Sequence, residues 1–343
     1  MKIKIWNVLI LAFIILMAGC TPMVKKRLDP LIGKIYDSKL KKEVAYQMLL
    51  QKMMDARVIY LGENHENADH HKIQLRILKD LIRAGKKPII GFEFFSTDQT
   101  GHLMSFVQIA TPKILPGSLE IREMDLREKL GWHSHGDPTW QFYYQLIELA
   151  LKNKLTIFGA DLPKCIVKRI VRVGVENLTG VENNLLQPTF FDDMAYQQLM
   201  YSKFKAVHCG FSTPKMSERM YQAWIARNDT MAYSIVSMLA EDENQPIVMI
   251  LGAGHVQHNM AVYDRVSFYK PDLKQINLGL QEIATKLIQV EDYLEETTVE
   301  NRTFLPSHEY FWFTERNSYE DPCEKFKGML QGMTKPTGMG GDE

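Results

Sequence analysis

An α/β fold is predicted, a mainly parallel sheet flanked by helices, and three features of the 343-residue chain point to it. Short apolar runs at 57–61, 88–92, 155–158 and 246–251 alternate with longer stretches of helical spacing. The runs are apolar throughout, as strands are when both faces of a parallel sheet are covered. The polar residues able to carry chemistry fall directly after these runs, where the carboxyl ends of parallel strands form one edge.

Composition is consistent with this reading. Hydrophobic residues make up 45% and charged residues 24%, which excludes wholesale disorder. Lys plus Arg and Asp plus Glu are equal at 41 each. Such a chain has no global attraction to phosphate backbones, so no nucleic-acid partner is expected.

The elements follow in order. Lys2 and Lys4 precede an apolar stretch, Ile5 to Met17, broken only by Asn7. A bilayer span needs about 20 residues, so this shorter run reads as a signal peptide over 1–19. Leu16-Met17-Ala18-Gly19-Cys20 resembles a bacterial lipobox, which implies cleavage before Cys20 and lipidation of its thiol. Residues 20–31 then form a lipidated tether. The expected location is the bacterial cell envelope, lipid-anchored, and the outer membrane in a Gram-negative host because Thr21 rather than Asp follows the cysteine. Cys165, Cys209 and Cys323 remain; three is odd, so at least one is expected free or paired between chains. No CxxC pair or disulfide framework is signalled.

A single domain is expected over 32–316. Helices are predicted at 38–55, 68–84, 140–153, 164–174, 191–207 and 216–240, with further strands at 274–278 and 308–314. Residues 97–140 and 178–215 break the strand–helix rhythm and read as insertions, a helical lid over the C-terminal strand edge. From Asn317 the chain turns rich in Gly, Pro and Met, and 317–343 is expected to be disordered.

Candidate site residues sit at the strand ends. Run 57–61 leads into Gly62-Glu63-Asn64-His65, run 88–92 into Glu93, run 155–158 through Gly159 into Asp161, and run 246–251 into Gly252-Ala253-Gly254-His255. Glu63, His65, Glu93, Asp161 and His255 therefore converge on one cleft if the sheet is parallel. Three uses fit this set. A carboxylate and an imidazole can divide general acid and base roles. Two His and two Glu can bind a divalent metal. A His-bearing pocket with aromatic neighbours can hold haem. His70 and His71 open the next helix and are either cleft or capping residues. His133 and His135 lie in a loop, His258 is read as a rim residue, and Arg227 in the long helix can fix a carboxylate.

The segments Ile32 to Tyr36, Val58 to His65 and His70 to Leu75 resemble the ChaN-like haem-binding lipoproteins of the Tiki/TraB/erythromycin-esterase superfamily. Gly91 to Phe95, Gly159 to Pro163 and Gly252 to His255 are similar to that group's later strand-end motifs. The resemblance spans roughly 32–270. It implies a membrane-anchored protein of haem or iron uptake, with haem or a related tetrapyrrole held where two monomers meet. Iron would be held by a Tyr, and His and Lys side chains would anchor the propionates. Tyr196 and Tyr201 are the first candidates for that Tyr, ahead of Tyr143 and Tyr144, with His65, His255 and Arg227 around the ligand. The alternative is a Glu/His-dependent hydrolase, an esterase or a metal-dependent peptidase. Its catalytic residues would be Glu63, His65, Glu93 and His255, with a divalent metal in the peptidase version. Asn228 stands where relatives often carry an acidic residue, which counts against a mechanism needing a carboxylate there.

Overall fold

The computed structural model describes residues 28–108, 118–132, 137–191, 193–242 and 244–324. The segment expected to be a signal peptide, residues 1–19, and Cys20, His133 and His135 lie outside the described residues. In chain order the elements are β1 (Ile35–Asp37), β2 (Lys42–Glu43), α1 (Tyr46–Asp55), β3 (Val58–Glu63), α2 (Ala68–Arg83) and β4 (Ile89–Ser96). Then come α3 (Thr100–Gln108), α4 (Ser118–Lys129), α5 (Asp137–Asn153), β5 (Ile157–Asp161), α6 (Lys164–Val173) and α7 (Gly180–Asn183). They are followed by α8 (Met194–Val207), α9 (Pro214–Glu241), β6 (Ile247–Gly252), α10 (Val262–Tyr269) and β7 (Gln275–Glu282). The last are α11 (Val290–Tyr293), β8 (Thr297–Val299), β9 (Arg302–Phe304) and β10 (Tyr310–Thr314).

The central sheet runs β2-β1-β10-β7-β3-β6-β4-β5. From β10 to β5 every pairing is parallel, and β1 joins β10 antiparallel. The chain moves outward from β3 to β4 and β5, returns to β6 between β3 and β4, and then builds β7 and β10 on the other side. This reversal puts the ends of β3 and β6 beside the crevice that such a switch of direction opens.

Burial explains why the runs are apolar throughout. In β3, Ile59 and Leu61 enter the core under α1, α2 and α5, whereas Val58 and Tyr60 enter the core under α9 and α10. Alternate side chains thus face opposite layers, and both layers are covered. Register does the rest: Glu63 pairs with Gly252, which sets the two Gly-x-x-His turns side by side.

The structure corrects several boundaries. The expected helix at 38–55 begins only at Tyr46. Lys41 has φ +48°, Asp37 Oδ1 accepts from Leu40 N at 2.9 Å, and Tyr36 pairs with Glu43, so a hairpin replaces the first helical turns. Glu63, Glu93 and Asp161 lie within the strands rather than after them, because the ladders continue to those residues. Residues 317–324 are described, and Cys323 forms a disulfide with Cys209 across 114 residues, while Cys165 is free and exposed.

Candidate functional site

Both Gly-x-x-His turns stand at the carboxyl edge of the sheet, and each is built differently. At the first, Glu63 ends β3 fully enclosed. Gln74 of α2 donates to its Oε2 at 2.5 Å, and the Tyr143 hydroxyl of α5 donates to its Oε1. His65 Nδ1 stands 3.0 Å from the same Oε1. Burial by itself would raise the Glu63 carboxyl. The His65 hydrogen bond and the charges of His71 and His65 outweigh it and hold the group below its usual value. His65 moves the other way: burial opposes its charge, but the Glu63 bond and the charges of Glu93 and Glu63 raise it.

The His65 side chain is 42% exposed, and its Nε2 has no hydrogen-bond partner among the described residues. One ring nitrogen is held by Glu63, and the other lies beside Gly252. Gly252 makes room for this: a Cβ there would lie 2.8 Å from His65 Cε1. Phe94 meets the ring edge-on at 4.5 Å.

The second turn is closed. His255 stacks on Trp224 at 4.1 Å, and its Nδ1 lies 2.7 Å from Asn228 Oδ1. Asn228 Nδ2 donates to the Trp224 carbonyl at 2.6 Å, which fixes the amide orientation and makes His255 Nδ1 the donor. The remaining nitrogen, Nε2, faces Glu93 Oε1 at 3.1 Å. Trp224, Arg227 and Asn228 share one face of α9 through their i, i+3, i+4 spacing.

Arg227 ties the cleft together. Its Nη2 donates to Glu93 Oε1 at 2.6 Å and to Asp161 Oδ2 at 2.7 Å, and its Nε donates to both Asp161 oxygens. Glu93 Oε2 accepts from Gly252 N at 2.5 Å. Burial opposes the Glu93 charge, yet His255 and Arg227 hold it well below the usual carboxylate value. Asp161 is raised, because its burial outweighs Arg227. Arg227 keeps 23% of its side chain exposed, and Nη1 has no partner among the described residues. Lys164, beside this group, sits 5.6 Å from the Trp132 ring.

Glu63, His65, Glu93, Asp161, Arg227 and His255 are thus brought together. The other candidates are not equivalent. Tyr196 is buried in α8, its phenol accepting from Trp224 Nε1 at 3.0 Å, and burial pushes it well above its usual value. Tyr201, on the same helix, is half-buried and packs edge-on against Tyr221 at 5.8 Å. Tyr144 is buried against Trp140. His70 is a structural residue: Nδ1 accepts from Asn64 N, Nε2 meets Thr314 Oγ1, and burial lowers it to about 4. His71 donates to the His65 carbonyl and stacks on Phe142. His258 Nδ1 donates to the Leu305 carbonyl and its Nε2 faces Lys203.

Sequence reasoning missed Gln74, Tyr143 and Trp224 as partners. Gln74 had a readable signal, a polar residue on the apolar stripe His70-Gln74-Ile77-Leu78-Leu81 of α2. Among the described residues no group of three or more His, Cys, Asp or Glu is placed to hold a metal ion. A cavity of about 1390 Å³ lies at the opposite, amino-terminal ends of β3, β7 and β10.

Comparison with known proteins adds to this geometry. A family model described as haem-binding uptake, Tiki superfamily, ChaN matches residues 49–266. Among solved structures the chain is similar in fold to ChaN of Campylobacter jejuni, from a structure of cofacial heme binding. The identity is 14% and the TM-score 0.60, over 81% of this chain and 95% of that one. It is also similar to an erythromycin esterase, EreC, in its open conformation (12% identity, TM-score 0.41, 74% of this chain and 77% of that one). The type III effector HopBA1 matches at 15% identity and TM-score 0.42, over 78% of this chain and 92% of that one. No curated protein sequence matches the chain.

Proposed function

The chain belongs to the haem-binding uptake family of the Tiki superfamily, the ChaN proteins, and from that premise we propose that it binds haem at the cleft of the two Gly-x-x-His turns. The observation that carries the proposal is the span of the family match. Residues 49–266 contain both turns, Glu93, Asp161, Arg227 and both α8 tyrosines.

The donor set fits a tetrapyrrole. Haem, when bound, supplies an iron centre and a broad apolar face with two carboxylates. His65 keeps one uncommitted imidazole nitrogen, Phe94 adds aromatic surface beside it, and Arg227 Nη1 with Lys164 offers cations for propionates. Of the two α8 tyrosines, Tyr201 is the one we assign to iron, because an enclosed phenol committed to Trp224 is a poor anionic ligand. The α8 helix and the β8–β9 hairpin would serve as the lid. The hydrolase alternative is not favoured: both oxygens of Glu63 and of Glu93 are already engaged inside the protein.

A role in haem or iron uptake and a lipid anchor at Cys20 complete the proposal, with the outer membrane as its location in a Gram-negative host. The Cys209–Cys323 disulfide supports an oxidising compartment outside the cytosol. A haem-bridged homodimer is proposed on the resemblance.

Titration of the purified protein with hemin, followed by its Soret and charge-transfer bands and by sedimentation, tests the reading. Saturable high-spin spectra with dimerisation are expected, altered in Tyr201→Phe and retained in Tyr196→Phe. No saturable change would overturn haem binding. Retention of label from a fatty-acid analogue in the wild type, and its loss in Cys20→Ser, tests the anchor.

A further inference from the structure

The second cavity lies far along the strands from the cleft, at the amino-terminal ends of β3, β7 and β10, and it has two unlike walls. One wall comes from the β1–β2 turn, the end of α1 and the residue before β7, and it carries Lys39, Lys41 and Lys274 with one exposed carboxylate, Asp55, among them. It stands on the sheet face occupied by Tyr310 and Trp312. The other wall is α11 and the residues after it, with Glu291, Glu295 and Glu296, on the face occupied by Phe311 and Phe313. These lysines and glutamates are all exposed, and none has a charged partner among the described residues. Asp37 and Lys52, also lining the cavity, face each other at 3.9 Å, and Asp37 Oδ1 holds Leu40 N.

Between the walls the floor is made by His308, Glu309 and Tyr310. His308 is 2% exposed, and its Nδ1 donates to Asn277 Oδ1 at 2.8 Å. The ring lies flat over Gly279, where a Cβ would sit 2.1 Å from Cδ2. No hydrogen bond engages its Nε2 among the described residues, so that nitrogen keeps an acceptor lone pair. Glu309 is fully engaged, with Asn259, Tyr263 and the Asn277 backbone N–H. Leu40 and Leu305, 52% and 54% exposed, add apolar surface at the mouth.

A ligand that meets all of this carries a carboxylate at one end, an ammonium at the other, and amide N–H groups between. We propose that the cavity binds a short zwitterionic peptide. Its carboxylate faces the lysine wall, its ammonium faces the glutamate wall, and a backbone N–H donates to His308 Nε2. Opposed unpaired charges on facing walls select a dipolar ligand and disfavour either single-sign relative. The inference is independent of the haem reading.

Calorimetric titration with tri-alanine tests it, alongside N-acetyl-tri-alanine and tri-alanine amide. Saturable binding of the free peptide alone is expected. The double variant Glu295→Lys/Glu296→Lys should weaken it by about tenfold or more, from reversal of two exposed charges. Both positions are exposed, so the variant keeps its thermal unfolding profile, and hemin titration of it should match the wild type. His308→Ala should also lose the peptide, and ring ¹⁵N shifts of His308 in the wild type should move on binding. The proposal is overturned by no saturable heat at about 10 mM peptide, by equal binding of either blocked form, or by unchanged binding in the double variant.

Discussion

The two Gly-x-x-His turns sit on neighbouring strands in matched register, Glu63 opposite Gly252, yet one histidine is open and the other sealed. His65 has one nitrogen clamped by Glu63 and one free. His255 is held on both edges and on one face, by Asn228, Glu93 and Trp224. The motif is shared; the difference is α9, which lays Trp224, Arg227 and Asn228 over the second turn. A Gly-x-x-His sequence therefore fixes where a histidine stands and not whether it is available.

Acid should produce the largest departure, because it acts on the enclosed imidazoles and spares the open one. Burial lowers His70 to about 4, His258 to about 4 and His308 to about 3. Unfolding lets each regain a proton at its ordinary value near 6.5. Stability should therefore be full above that value and fall by up to about 1.4 kcal/mol per pH unit per histidine as pH drops towards 4. His65 is raised, so its contribution is present below pH about 6.5 and is lost as pH climbs through its folded value. Urea midpoints measured from pH 4 to 8 should rise with pH across the lower half. A flat profile would show that the imidazoles are not sealed.

Arg227→Met comes next. It strands Glu93 and Asp161 inside the cleft, and breaking a buried ion pair in this way costs about 3–5 kcal/mol. Chemical denaturation checks it, and a loss under about 1 kcal/mol would mean that solvent already screens the group.

The comparison itself is broken or sharpened by truncating each histidine. His255→Ala should cost about 2–4 kcal/mol, because it leaves Asn228 and Glu93 without a partner and a gap against Trp224. His65→Ala should cost under about 1 kcal/mol, since its ring is half in solvent. Equal losses would refute the contrast. A comparably small effect belongs to Gly252→Ala, whose methyl must displace the tip of His65. It should cost about 1 kcal/mol and alter hemin affinity more than stability.

Legibility varied with the range of the interaction. The β3 and β6 runs, the two turns and the strand-end Glu93 and Asp161 were readable, because apolar runs and turn residues are local signals. The 38–55 helix was over-extended because Leu40 fits helical spacing, whereas pairing of Tyr36 with Glu43 decides the backbone there. The clamp on Glu63 was invisible, since Tyr143 is 80 residues away and nothing local marks a tyrosine that donates to a strand-end carboxylate. The Cys209–Cys323 pair spans 114 residues, and only the folded path of the chain brings those two thiols together.

By itself the sequence determined the parallel sheet, the carboxyl edge as the place of chemistry, and the set Glu63, His65, Glu93, Asp161 and His255. These follow from periodicity and from the direction of parallel strands. Only the tertiary structure decided which of those groups faces solvent and which tyrosine on α8 is committed to Trp224. It also decided that a second, oppositely charged pair of walls meets at the other end of the strands. Those outcomes depend on which distant helix packs over each turn, and packing between elements is not written in the local pattern of either one.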